Sequence, residues 1–128
     1  MKPKNIITII GAVNIIQGIA FFFGAEMLTT QSFPEDLLQG GGLAVGIEMH
    51  WPLAVAFVVL GIIILSTRSL DTNAAKKVLN YIGVAYLFFL INGLLQHFTT
   101  ATNVPMPALG LIAFISILSF ITANRKTS

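Results

Sequence analysis

Residues 6–23 read IITIIGAVNIIQGIAFFF, a run without one ionisable side chain between Lys4 and Glu26. A helix that crosses the hydrocarbon core of a bilayer needs about 20 mainly apolar residues, with about 17 as a lower limit, so this stretch alone is long enough to span. Working outward, Val78–Phe98 is a second such run, interrupted only by Asn80, Tyr81, Tyr86, Asn92, Gln96 and His97. Pro52–Thr67 and Pro107–Thr122 are shorter but equally apolar. Both open with proline, which suits a first helical turn because its missing N–H would be unpaired there anyway. Extended by about a turn at each end, they complete four predicted spans at residues 5–25, 51–67, 76–98 and 106–123, with one long loop over residues 26–50. The expected fold is all-α, a four-helix transmembrane bundle forming a single integral membrane domain.

The composition agrees. Of 128 residues, 55% are hydrophobic and 9% charged, and the mean hydropathy is +0.87, too apolar for a soluble domain of this size. The leading Met-Lys-Pro-Lys has the charged head of a secretory signal. The length of the apolar run, the presence of Asn14 and Gln17 in its middle and the lack of an A-x-A site point instead to an uncleaved first helix. With no cysteine, the chain has no disulfide, thiolate metal site or cysteine lipidation.

The charges are sorted by side. Lys2, Lys4, Arg68, Lys76, Lys77, Arg125 and Lys126 all fall at one end of the four-span pattern, whereas Glu26, Glu35, Asp36 and Glu48 fall in the long loop at the other. Only Asp71 breaks the rule. By the positive-inside rule the N-terminus, the 68–77 connection and the C-terminus are cytoplasmic, and the protein is expected in the cell's inner (plasma) membrane. The net charge of +2 therefore reads as topology and headgroup contact rather than nucleic-acid binding. Trp51 fits the aromatic belt of the outer interface, and Tyr81 that of the inner one.

Turn chemistry fills in the connections. Asp71 or Thr72 is the expected N-cap of the third span, and the short polar 67–77 connector makes spans two and three an antiparallel neighbouring pair. In the long loop, Ser32-Phe33-Pro34-Glu35 matches an S-x-x-E capping box and Gly40-Gly41-Gly42 supplies a stop, predicting a short outer-surface helix over Ser32–Gln39. Phe33, Leu37 and Leu38 would meet the interface while Glu35 and Asp36 face water. A faint parallel repeat of two hairpins pairs KNIITIIG (Lys4–Gly11) with KVLNYIG (Lys77–Gly83), and Pro52–Arg68 with Pro107–Arg125.

Two sets of residues carry candidate chemistry. In lipid, helices associate through small residues and interhelical hydrogen bonds. Gly11 and Gly18 share a face of span one with Asn14 and Gln17 beside it, and Tyr81, Ala85, Phe88, Asn92 and Gln96 draw one stripe along span three. Asn14 and Tyr86 fall at similar depth. Asn14, Gln17, Tyr86, Asn92 and Gln96 are thus either structural glue or the polar lining of a site for a small lipophilic molecule such as a quinone, sterol or pigment. The second set lies at the outer helix ends. Glu48 and His50 point the same way if the entry to Pro52 is extended, and with His97 they are candidate ligands for zinc, copper or haem iron. Glu26, Met27, Met49 and Met106 lie at the same ends.

Several activities are disfavoured. No acid or base lies deep in a span, as a proton-coupled carrier, a voltage sensor or a carboxylate-ringed cation pore requires. Ser116 and Ser119 have no neighbouring base in the sequence, and Gly40-Gly41-Gly42 lacks the Lys and Ser/Thr of a phosphate loop.

The glycine-spaced first span (Gly11, Gly18), the glycine-rich entry to the second (Gly41, Gly42, Gly46), Gly61 and then Arg68 at the inner end together resemble the small DoxX-like four-helix membrane proteins of bacteria. The resemblance implies a compact four-helix bundle, and because some such proteins look like accessory subunits of membrane redox complexes, an accessory role. The expected function is that of a small non-enzymatic membrane protein, an accessory or assembly subunit or a self-associating bundle. Its expected partners are the lipid bilayer and other membrane subunits or itself.

Overall fold

The computed structural model describes residues 2–125, and Lys126 of the basic set lies outside them. Among the described residues all regular secondary structure is helical, without a strand. Five α-helices, α1 Pro3–Phe23, α2 Ala25–Ser32, α3 Gly42–Ser66, α4 Thr72–Thr99 and α5 Met106–Asn124, are joined with 3-10 turns at Glu35–Leu38 and Thr67–Ser69. α1, α3 extended by its 3-10 turn, α4 and α5 are each long and apolar enough to cross a membrane.

Small residues decide which helices pair. α1 and α3 run antiparallel with Gly11 against Gly61 and Gly18 against Ala54. A Cβ on Gly61 would stand 2.6 Å from the Gly11 carbonyl oxygen, and one on Gly18 would stand 2.6 Å from that of Ala54. Only glycine lets the backbones approach so closely. α4 and α5 form the second antiparallel pair. There Ser116 Oγ donates to the Gly83 carbonyl at 2.9 Å, and the Phe120 ring covers Gly83.

The two pairs meet mainly through α1, which touches both α4 and α5. α3 and α4, expected to be neighbours from their short connector, pack instead through α1. The small residues of α3 that are buried, Gly46, Ala54 and Gly61, are spent on α2 and α1. The shared core comprises Ile6, Ile7, Ile10, Ile64, Ala75, Leu79, Ile82, Tyr86, Ile115 and Ala123. Along α1 its fully buried members end at Ile10, with the half-buried Val13 packed against it beside Asn14. Further along, each pair has its own close contact, at Gly18–Ala54 and at Gly93–Leu109.

The basic connections lie together. The 3-10 turn carrying Arg68 packs beside α1, and Lys76 Nζ donates to the Arg125 carbonyl at 2.6 Å. At the opposite end, the Asn103 amide donates to the Ser32 carbonyl at 2.7 Å, tying the 100–105 connection to the end of α2.

Two boundaries differ from expectation. α3 starts at Gly42, ten residues before Pro52, so that proline lies inside the helix. Its missing N–H leaves the Glu48 carbonyl without a helical donor. Ser32, expected to cap a helix, is the last residue of α2; the extended residues are Phe33 and Pro34, and the segment beyond is only a 3-10 turn over Glu35–Leu38 without a side-chain cap. A capping serine needs extended backbone, which α2 denies Ser32. The glycine stop is present, with Gly40 at φ 59° and Gly41 at φ 97°.

Asp71 does cap α4. Its Oδ1 accepts from the Asn73 and Ala74 amides at 2.8 and 3.0 Å. These bonds hold its carboxyl below the ordinary value of 3.8. A carboxylate depressed on folding stabilises the fold above its unfolded-state value and loses that contribution as pH falls through the lower folded-state one. Asp71→Ala is therefore expected to lower thermal stability at neutral pH. Asp71→Asn, an equally good cap, keeps the stability and removes this acid dependence below about pH 4. Circular dichroism melts of the three proteins in detergent between pH 3 and 7 measure the effect. Identical pH profiles for wild type and Asp71→Asn would contradict it.

Candidate functional site

Asn14, the largest polar side chain buried in the membrane-spanning region, has no exposed surface. The glycine face of α1 carries it inward. Its Nδ2 donates to the Ile10 carbonyl one turn back at 2.8 Å and, across the bundle, to Tyr86 Oη of α4 at 2.7 Å. Tyr86 is itself buried, with its ring edge-on to Phe89 at 6.0 Å. Asn14 Oδ1 has no partner. This bond joins α1 to α4, one helix of each pair, at the edge of the shared core to which Tyr86 belongs.

The remaining members of the predicted lining go elsewhere. Gln17 is half-buried one turn along α1, while Asn92 and Gln96 are exposed. The stripe Tyr81, Ala85, Phe88, Asn92 and Gln96 exists, but it faces away from the bundle, with Tyr81 75% and Phe88 69% exposed. The inward face of α4 is Ala75, Leu79, Ile82, Gly83, Tyr86 and Gly93. Asn14 and Tyr86 thus meet at matching depth as their positions predicted, and Asn92 and Gln96 do not join them.

The residues at the acidic end are also dispersed. Glu48 and His50 lie on continuous helix rather than extended chain, so they diverge by about 200° around α3. Glu48 is exposed. His50 turns inward, its Nδ1 2.7 Å from the Gly46 carbonyl oxygen and 3.3 Å from Thr29 Oγ1, with the Phe21 ring edge-on at 6.1 Å. The carbonyl contact assigns the proton to Nδ1. His97 is half-buried beside Phe98, with its Nδ1 buried and unpartnered. Among the described residues no three His, Asp or Glu side chains are grouped to hold a metal ion, and Glu48, His50 and His97 form no such set.

Comparison of the chain with family models, with curated proteins and with solved structures gives no match.

Sequence reasoning missed two polar contacts. Thr29 is fully buried and pins α2 to α3, its hydroxyl donating to the Ala25 carbonyl at 2.7 Å while its methyl packs on Gly46. Ser116 and Ser119, unpromising as nucleophiles, are both buried on the inner face of α5. Their spacing of three with Thr122 was the available signal, a row of small residues on one face.

Proposed function

We propose that this is a small non-enzymatic multi-pass membrane protein, basic end cytoplasmic, that works by associating within the membrane, with itself or as an accessory subunit. Asn92 carries the reading. Taking Val78–Phe98 as the part of α4 in hydrocarbon, about 30 Å, Asn92 lies about 9 Å inside the acidic-end boundary. Its side chain is exposed, with Phe88 and Leu95 of the same face also exposed. An amide directed at lipid loses its hydrogen bonds to water and gains none, which costs a few kcal/mol unless another protein surface supplies a partner. The Asn14–Tyr86 bond supports the same reading as glue between helices.

Native mass spectrometry of the protein released from mild detergent tests it. The expected result is a homo-oligomer or a co-purifying membrane protein. A bare monomer with nothing bound, at concentrations matching those in the membrane, overturns it.

A further inference from the structure

We propose that the outward face of α4 is the contact surface of a parallel homodimer, with Asn92 of one copy hydrogen-bonded to Asn92 of the other. This deepens the association reading above and rests on it. The argument starts from the geometry of the helix. At 100° per residue, Tyr81, Phe88, Asn92 and Leu95 fall within about 60° of arc. That arc lies opposite the buried face centred on Leu79, Ile82 and Tyr86. Asn92 therefore lies on the exposed face, about 80° around the helix from Ile82, the nearest buried residue by angle.

The occupant follows from the symmetry of the bilayer. Copies of one chain inserted with the same orientation are related by a two-fold axis along the membrane normal, and an isologous contact places each residue opposite its own counterpart at equal depth. A charged side chain would face its own charge in that arrangement. A carboxamide gains, because it has both a donor and an acceptor and complements itself. A second copy thus supplies the missing partner for Asn92 at the required depth without any coincidence of sequence. A different protein would have to present a polar group at that same depth and angle. Ala85 on the same face has the small side chain that lets parallel helices approach.

The chain has no cysteine, so single-cysteine variants report contacts without background. Phe88→Cys and Leu95→Cys flank Asn92 on the proposed face and leave its amide intact. Val59→Cys and Ile62→Cys, exposed on α3, are the controls. Oxidation in native membranes is expected to give a disulfide-linked homodimer from the two α4 variants and not from the α3 variants. Adding Asn92→Leu is expected to weaken dimerisation about three- to tenfold, as one or two amide hydrogen bonds between spans contribute. Asn92→Gln should restore it, whereas a merely apolar contact would be indifferent to the amide. A homodimer that links through α3 and not through positions 88 and 95 overturns the interface while leaving self-association standing. Linking of positions 88 and 95 to a different protein overturns the homodimer and leaves the accessory-subunit reading. Monomer with no partner overturns both.

Discussion

Replacing Gly61 with valine lowers the unfolding free energy by about 3 kcal/mol, the upper part of the range for forcing extra carbons into a packed contact. Gly61 faces Gly11 at the crossing of α1 and α3. A Cβ there meets the Gly11 carbonyl oxygen at 2.6 Å, Ile15 Cγ1 at 2.7 Å and the Ile15 amide nitrogen at 3.0 Å. Two of these atoms are backbone and cannot rotate away, so the helices must separate, and separation forfeits contacts along the whole pair. Gly11→Ala is the milder counterpart, because its nearest obstacle is the Leu65 side chain, which has other rotamers. Gly110→Ala is the control. Nothing lies within 4 Å of a Cβ added there, and alanine is the better helix former, so no loss of stability is expected. Titration with a denaturing detergent, followed by Trp51 fluorescence and circular dichroism, orders the three variants. Stability of Gly61→Val within about 0.5 kcal/mol of wild type would show that the α1–α3 contact is looser than these distances describe.

The four spans were legible in the sequence because length and apolarity are the whole requirement for crossing lipid, and Lys2, Arg68 and Lys76 mark the ends where that requirement lapses. Gly11 and Gly18 were legible as a seam for a related reason: in lipid, close approach needs small residues. What sequence could not reveal was which way a polar residue faces. In a soluble helix, polar means outward. In a membrane helix both faces are apolar, and a polar stripe is consistent with either a bundle interior or a contact with another protein. Asn14 and Asn92 are the same residue, each well inside a span, yet one is wholly buried and the other is exposed. Only the partner distinguishes them, since Tyr86 stands opposite Asn14 and no bundle residue stands opposite Asn92. Pro52 misled for another reason. Proline is favoured at a first turn, and it is also tolerated within membrane helices, so its presence did not locate the start of α3.

The junction between the two helix pairs gives the second large effect. Asn14→Ala is expected to cost about 2 kcal/mol, more than the roughly 0.6 kcal/mol typical of one hydrogen bond between membrane helices. The excess arises because Asn14 has no exposed surface, so truncation leaves a void as well as a missing donor. Tyr86 Oη, 2.7 Å from Asn14 Nδ2, loses its partner at the same time. Tyr86→Phe removes the acceptor without a comparable void and should cost about 1 kcal/mol or less. Once Asn14 is alanine the hydroxyl has nothing to receive, so adding Tyr86→Phe should cost little more. The double-mutant cycle should then return a coupling of about 0.6 kcal/mol, and no more than about 1.7. The Gly11–Gly61 and Ser116–Gly83 contacts lie within the pairs, so the loss should appear as movement of one pair against the other. Cysteine pairs placed across α1 and α4 near the junction should cross-link less readily in Asn14→Ala, while pairs across α1 and α3 should be unaffected. A coupling near zero, or equal loosening at both places, would mean that the Asn14–Tyr86 bond does not hold the two pairs together and that the apolar core from Ile6 to Ile82 does so alone.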